Sequence, residues 1–414
     1  MLFSLFALLL AQNIAQPSPT APPDLPAAIQ LAQDGRNTEA LAALQKIVAA
    51  NPGDHTARLW VASVHARMGH PELAEAVYRS VAIEDPNNVD AWVGLGSVLL
   101  QEDRVVEGLD ALRRAEQLSP ENPNVVAALA SGYRLAGENG QSIGYYQRLT
   151  VLAPSTANRL SWENARRQYD HRFESQTYGE DYNGATQSTR GSDLALNFRL
   201  SEPVRLIGRA QIQTKSGRRE DREGGGVEWR FTPWGTFTGQ LLVGRDDTRV
   251  MPQHDFLGRV EYGYHSATYT GTLRYFDFFG ANVTMFSPAA TVSVTPRWTV
   301  GARYAFTSAD TAAVTGVQGH TLDLRAAHEI RPRIWVRGGY VRGVDNFDLF
   351  TIDQVGEFRA KTATVGVQLL LPSLTSIVAN YDNQWRNDGV TLITTPSIPD
   401  KRMWRINVGL VQAF

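Results

Sequence analysis

From about residue 168 to its last residue, the chain alternates apolar and polar side chains at every second position. In its final segment, Trp404, Ile406 and Val408 share one side, whereas Arg405 and Asn407 share the other. A period of two is that of a β-strand with one apolar and one polar side. Beyond its N-terminal apolar segment, the chain contains no run of apolar residues that is long enough for a transmembrane helix. This part is therefore predicted to be a soluble β-structure or a membrane barrel, the form in which strands cross a bilayer.

Short and long connections alternate between the predicted strands, and their numbers fit a barrel. The short connections are 201–203, 232–235, 265–266, 295–297, 331–333 and 372–373. The longer polar stretches are about 178–191, 214–225, 246–255, 277–285, 307–319, 342–357 and 385–401. Together they join about 14 antiparallel strands, with a range of 12–16, that begin and end on the short-turn side. Candidates for aromatic girdles at the strand ends are Trp234, Tyr264, Trp298, Tyr304, Phe306, Trp385 and Trp404.

The first part of the chain repeats with a period of 34 residues. Prolines follow this period at Pro52, Pro86, Pro120 and Pro154. A second phase holds Gly35, Gly69, Asp103 and Gly137; a third holds the small residues Ala40, Ala74, Gly108 and Ser142; a fourth holds the large residues Leu44, Tyr78, Leu112 and Tyr146. Small residues let paired helices approach closely, large ones fill the space between pairs, and proline ends each second helix. This part is predicted to be an α-helical solenoid of four units.

The expected organisation is therefore α + β and multidomain. Residues 1–15 have the short apolar run of a secretory signal peptide, and 16–22 form a Pro-rich linker. The repeats occupy 23–155, a second linker 156–167, and the barrel 168–414. A formal net charge of −2 gives no indication of nucleic-acid binding. The absence of cysteine excludes a lipoprotein anchor, thiol catalysis and disulfides.

Motifs for catalysis are missing from the sequence, which predicts no enzyme activity, no cofactor and no metal. There is no G-x-S-x-G, H-E-x-x-H or P-loop, and the histidines are scattered. One alternative keeps His320 as a base near the outer end of a strand, in a barrel enzyme that modifies lipid or glycan. A second candidate is a cation site at Glu180 and Asp181.

If the apolar side faces lipid, many arginines face the barrel interior. The lumen-facing candidates are Arg199, Arg205, Arg209, Arg230, Arg259, Arg274, Arg303, Arg325, Arg337 and Arg405. Glu228, Glu261 and Asp323 are among the few acids on the same side. One interpretation is a path for a polar or anionic chain such as a polysaccharide. The other is an ion-pair network that braces the barrel.

The repeats have their own candidate site, on the concave groove that such arrays use for binding. The groove candidates are Ser63, Asp90, Ser97, Asn124, Ser131 and Arg134. Two interpretations remain open. The groove binds a partner protein, or the array is a solvated scaffold and spacer.

The 34-residue pattern, clearest from Trp92 to Pro120, resembles the tetratricopeptide repeat. Repeats followed by a barrel that ends in WRINVGLVQAF resemble exporters of poly-N-acetylglucosamine and cellulose, and the size and order look more like the YaiO-type outer-membrane barrel family. The resemblance implies a bacterial outer membrane with the repeats in the periplasm. It also implies that Phe414 is a sorting signal for the barrel-assembly machinery. Implied partners are outer-membrane lipid, a periplasmic protein bound by the repeats, and a polysaccharide.

Three functions follow as hypotheses. The first is export of an exopolysaccharide or similar glycan, with the barrel as the passage. The second is an assembly or scaffold protein whose closed barrel is only an anchor. The third is the barrel enzyme. Because the array is short, the resemblance implies that another protein bridges to the inner membrane.

Overall fold

A computed structural model describes residues 24–182, 188–215, 217–245, 251–311, 315–343, 360–386 and 402–414. The predicted signal peptide and Pro-rich linker lie outside these residues. The chain divides into two compact units: residues up to 136 together with 144–158 contain most of the repeats, and residues 137–143 together with 159–414 contain the strands. None of the described helices has the length and apolar character needed to cross a membrane.

The helical unit confirms the predicted repeats. Its described helices are α1 Leu25–Gln33, α2 Asn37–Ala50, α3 His55–Arg67, α4 Pro71–Glu84, α5 Val89–Gln101, α6 Val105–Leu118, α7 Pro123–Leu135 and α8 Asn139–Leu152. They form four consecutive pairs, and the first helices of successive pairs contact one another along the array. Pro52 lies two residues beyond the end of α2, and Pro86 takes the same place after α4. Proline thus stands where each second helix must stop.

The turn inside each pair requires a left-handed backbone. Gly35, Gly69 and Gly137 have φ of 78°, 80° and 77°, and Asp103 has φ of 61° at the equivalent position. Glycine adopts this conformation without the steric cost that a Cβ imposes on other residues. The phase that contained three glycines and one aspartate in the sequence is therefore a fixed turn of the repeat.

Close helix packing explains the small residues. Ala40, Ala74 and Ser142 are buried to 1% exposure or less. In the third pair, a Cβ on Gly96 would lie 2.9 Å from the carbonyl oxygen of Gly108 on the neighbouring helix. The backbones of α5 and α6 therefore touch where the side chains are absent, and Leu112 fills the adjacent space.

The second unit is a closed antiparallel barrel, which confirms the predicted fold class and strand number. The described strands are β1 Arg172–Tyr182, β2 Thr189–Arg199, β3 Val204–Lys215, β4 Arg218–Arg230, β5 Gly235–Gly244, β6 His254–Tyr264, β7 Ala267–Phe278, β8 Ala281–Thr295, β9 Trp298–Thr311, β10 Val317–Arg331, β11 Ile334–Arg342, β12 Ala360–Leu370, β13 Thr375–Arg386 and β14 Arg402–Ala413. Each of these strands pairs with its neighbours in sequence, and β14 pairs with β1. The closing register places Arg172 opposite Ala413 and Tyr182 opposite Met403.

Two local predictions differ from the structure. The segment 156–167, expected as a linker, lies within a helix, α9 Thr156–Tyr169, and the first strand begins at Arg172 instead of near 168. Most of the described residues in the stretches 214–225, 277–285 and 307–319 belong to strands. Their polar residues resemble a loop in the sequence. The hydrogen-bonded ladder nevertheless continues through them, because strand pairing uses the backbone and tolerates polar side chains.

The two sides of the barrel wall differ as the alternation predicts. On β7, the outward residues Tyr269 and Leu273 are 51% and 57% exposed, whereas inward Thr272 and Arg274 are buried. Outward aromatic residues with at least 40% exposure occur on many strands and include Phe198, Trp229, Phe237, Phe256, Tyr264, Trp298, Tyr304, Tyr340, Tyr381 and Trp404. An exposed apolar surface of this extent is typical of a site that binds another protein or lipid.

We expect Asp103→Gly to stabilise the helical unit by about 1 kcal/mol, because glycine removes the strain of a left-handed residue. The midpoint of thermal unfolding, followed by circular dichroism of the full chain in detergent, measures this change. Gly69→Ala is the matched control and should shift the midpoint downward. The new Cβ would have no neighbouring atom within 4 Å, so the cost comes from the left-handed backbone with φ of 80°. A lower midpoint for Asp103→Gly would contradict the expectation.

Removal of Phe414 should impair barrel assembly. The backbone N–H of Phe414 donates to the carbonyl of His171 at 2.9 Å, and its ring lies 5.8 Å from the His171 ring, at the seam between β14 and β1. The neighbouring Gln412, unusual on an apolar side, donates to the carbonyl of Ser373 at 2.9 Å. Heat-modifiable mobility of the barrel in cell envelopes reports assembly. Wild-type levels of folded protein without Phe414 would count against its role as a sorting signal.

Candidate functional sites in the repeats and the barrel interior

The groove candidates of the repeats all lie on the first helices of their pairs. Asp90, Asn124 and Arg134 are exposed, whereas the three serines are half-buried. Ser97 donates to the carbonyl of Val93 at 2.7 Å, so its hydroxyl is committed to its own helix. Burial raises the pKa of Tyr78, and a hydrogen bond with Ser63 opposes that rise. The exposed residues are therefore the ones that are available to a partner.

A tyrosine and ion-pair cluster near the end of the array was not predicted from the sequence. The rings of Tyr133 and Tyr145 stack at 5.2 Å. Tyr145 donates to the carboxylate of Glu116 at 3.0 Å, and Arg148 donates to it at 3.0 Å. Burial, followed by the hydrogen bond to Glu116, raises the pKa of Tyr145. In the sequence, Tyr133 and Tyr145 are recognisable only as large side chains. Their size does not indicate that helices α6, α7 and α8 meet at this point.

The interior of the barrel has two zones along strands β6–β11. Toward the long-loop ends, the inward side chains are buried; toward the short-turn ends, they are partly or fully exposed. We call the first the packed zone and the second the open zone. The open zone is lined by Arg259, Glu261, Thr268, Thr270, Thr291, Ser293, Arg325, Glu329 and Arg337.

Ion pairs in the packed zone continue onto other strands of the barrel interior. Arg274 holds Asp255 through two hydrogen bonds of 2.7 and 2.6 Å, and Arg222 lies 3.0 Å from the same carboxylate. Arg209 pairs with Asp193 on the neighbouring strand. On the other side, Arg405 contacts Asp382 at 2.8 Å and Glu180 at 3.1 Å. Buried charges persist only when they are paired in this way.

An apolar cluster completes the packed zone, and the sequence pattern missed its direction. Phe276, Phe278, Val283 and Met285 point inward and are buried to 2% exposure or less. The outward residues beside them are polar, for example Asp277 and Asn282. Near the long-loop end, the barrel therefore reverses its pattern. Alternation shows that a strand has an apolar and a polar side, but it does not determine which side faces water.

Other arginine candidates lie at the short-turn end and contact helix α9. Arg199 and Arg205 donate to the carbonyl of Tyr169, at the helix end, at 2.5 and 2.7 Å. The guanidinium of Arg199 also lies 3.7 Å from the centre of the Tyr169 ring. Cations at the C-terminal end of a helix neutralise its partial negative charge. Arg230 donates to the nearby carbonyl of Glu202 at 3.3 Å.

Helix α9 reaches further turns of the same end. Glu163 is fully buried, and both of its oxygens accept from Arg333, in the β10–β11 turn, at 2.9 and 2.8 Å. Arg167 donates to the carbonyl of Leu371, in the β12–β13 turn, at 2.7 Å. Tyr169 lies beside the β2–β3 turn, so helix α9 contacts three separate turns. The helix therefore extends across part of the barrel opening at the short-turn end.

Two of the catalytic and cation candidates make local contacts. His320 faces outward and shares a 2.6 Å hydrogen bond with the hydroxyl of Tyr304. Glu180 is paired with Arg405. Across the part of the chain that the structure describes, no group of three or more His, Asp or Glu side chains could hold a metal ion.

Comparison with known proteins identifies the repeats. Residues 25–89 and 62–123 match the family model described as tetratricopeptide repeat. Over 105 residues, the chain is 30% identical to the peroxisomal targeting signal receptor of Pichia angusta, covering 25% of this chain and 18% of that protein. Over 134 residues, it is 28% identical to human protein O-mannosyl-transferase TMTC1, covering 31% and 15% respectively. The chain thus spans less than a fifth of the length of either relative.

Solved structures give weaker likenesses. A thermophilic tetratricopeptide-repeat protein of Thermus thermophilus is 19% identical, with a TM-score of 0.33 over 35% of this chain and 80% of that one. The pilF protein of Pseudomonas aeruginosa is 22% identical, with a TM-score of 0.33 over 35% of this chain and 66% of that one.

Glu163→Gln should loosen helix α9 from the barrel turns by about 3 kcal/mol, because it removes a buried carboxylate from Arg333 and leaves that cation unpaired. Hydrogen exchange of the α9 amides in the full chain measures this loosening. The exposed Glu121→Gln is the control and should leave the exchange unchanged. Equal protection of α9 in both variants would show that the ion pair does not hold the helix.

Proposed function

We propose that this protein is an outer-membrane component for the export of an exopolysaccharide or a similar glycan, with its repeats in the periplasm. The observation that carries the proposal is the combination of an apolar outer wall with an open zone, lined by exposed hydroxyl and arginine side chains, in one closed barrel. The repeats bind a periplasmic protein partner, and the barrel provides the passage.

The outer wall supports a membrane location. Its exposed aromatic and branched side chains form a band, and the outward residues become polar at Asp277, Ser308 and Gln318, toward the long-loop ends. Such a band is the surface that a barrel presents to lipid, with polar strands continuing beyond it. His320 and Tyr304, hydrogen-bonded at the edge of the band, fit the interfacial layer, where a polar tip and an apolar ring are both accommodated.

The open zone supports a hydrated polymer as cargo. Thr268, Thr291 and Ser293 are exposed on the inner side, and hydroxyl groups both donate to and accept from sugar hydroxyls. Arg325 adds donors that reach water, with 65% of its side chain exposed. Since the packed zone lies beyond these residues, passage requires it to open, and the described conformation is a resting one.

The repeats support recruitment of a partner. Tetratricopeptide repeats generally mediate protein–protein interaction, and the exposed Asp90, Asn124 and Arg134 give the first-helix surface a mixed charge. A protein bound there would connect the outer-membrane barrel to a synthesis complex, which the short array does not reach by itself.

A second candidate function is a scaffold whose barrel is a closed anchor. The packed zone favours it, because Arg222, Asp255 and Arg274 are nearly inaccessible and mutually paired. Such a network braces a barrel without any transport. The two functions differ in whether the packed zone can open.

Conductance in planar bilayers separates them. If the barrel is a gated passage, Phe276→Ala should increase the conductance of the full-length protein, because it removes a fully buried ring from the packed zone. Phe286→Ala, the same change on an outward ring of 51% exposure, should not.

An unchanged current in Phe276→Ala, together with normal polymer secretion in a strain that lacks the protein, would overturn export. Deleting residues 16–155 provides a further arm, since it removes the repeats and leaves the barrel strands intact. A barrel that stays closed after this deletion as well would favour the anchor.

A further inference from the structure

An arginine cluster around a buried acid lies at the boundary between the packed and open zones. Asp323, on β10, is 2% exposed and accepts from Arg303, on β9, at 2.8 Å. The same carboxylate accepts from Nε of Arg325 at 2.9 and 3.1 Å. One buried acid therefore orients two guanidinium groups from adjacent strands, and 65% of the Arg325 side chain remains exposed.

Arg337, on β11, brings a third guanidinium to this place. It is exposed, has no acidic partner among the described residues, and lies opposite Ala327 in the strand register, two residues from Arg325. Arg303, Arg325 and Arg337 thus place three positive charges on the inner side of three successive strands. Like charges are brought together at a cost, which an anionic ligand would offset.

Glycines keep the cluster accessible. In the strand register, Arg325 lies opposite Gly301 on β9 and opposite Gly339 on β11. A Cβ on Gly339 would lie 3.5 Å from Cγ of Arg325, and one on Gly301 would lie 3.1 Å from the Thr291 hydroxyl. No neighbouring side chain from these two positions can cover Arg325, so its guanidinium faces the open zone.

We propose that Arg303, Arg325 and Arg337 form a binding site for the carboxylate groups of an acidic glycan. The proposal rests on the proposed function and names the class of polymer. Guanidinium groups bind carboxylates through paired, planar hydrogen bonds, and Asp323 holds two of them in place. The hydroxyls of Thr291 and Ser293, in the same zone, are suited to the neutral part of the sugar.

Binding to the purified full-length protein in detergent tests the site without requiring passage. The probes are trigalacturonate, which carries a carboxylate on each sugar, neutral maltotriose and inorganic phosphate, each titrated by calorimetry. We expect trigalacturonate to bind more tightly than either of the other probes. Arg337→Gln should weaken its binding about tenfold, because the change removes a charged hydrogen bond.

Arg219→Gln, on the outer side of β4, is the matched control and should leave binding unchanged. Arg337→Lys keeps the charge but loses the planar fork, and should recover only part of the affinity. Heat-modifiable mobility shows that each variant is folded.

Equal binding of maltotriose would overturn the acidic-glycan site while leaving export of a neutral polymer intact. Binding of phosphate as tight as that of trigalacturonate would reduce the cluster to a general anion site and overturn the assignment. If Arg337→Gln binds trigalacturonate as tightly as the wild type, the glycan site does not lie at this cluster. Failure of the conductance experiment, with trigalacturonate binding retained, would overturn passage but support the site.

Discussion

Closure of the strand ladder is the constraint on which the rest of this protein depends. Pairing of β14 with β1 gives every described strand two neighbours, so the described strands leave no free edge. Closure also forces the side chains into an inner and an outer set, because successive residues alternate across the wall. The apolar outer wall, the inner ion pairs and the open zone are all consequences of that division.

The inner wall shows how charge is accommodated inside such a ladder. Where the interior is packed, each buried cation has an acid beside it, as Arg274 has Asp255. In the open zone, by contrast, Arg337 is exposed and has no acidic partner among the described residues. Solvation accounts for the difference, since water stabilises an unpaired guanidinium that a packed interior does not. Excess charge is thus concentrated where a hydrated ligand can reach it.

The helical unit follows a simpler rule, repeated four times. A left-handed turn fixes the angle inside each pair, small residues set the distance between its helices, and proline stops the second helix. These local rules made the repeats readable from the sequence, whereas the tyrosine cluster around Glu116 depends on three helices meeting and was not. The same holds for α9, whose Arg- and Asn-containing sequence resembles a linker until the barrel turns supply partners for Glu163 and Arg167.

By itself, the sequence determined the helical repeats, the antiparallel barrel and its strand number, because a period of 34 and a period of two are local properties of the chain. The alternation of apolar and polar residues also predicted most of the arginines that face the barrel interior. Tertiary structure alone decided which arginines are paired, which face water, and that Phe276 and Met285 point inward near the long-loop end. Those outcomes depend on the register between strands and on what fills the interior at each level. Alternation fixes two sides of a strand but leaves the surroundings of each side to its neighbours.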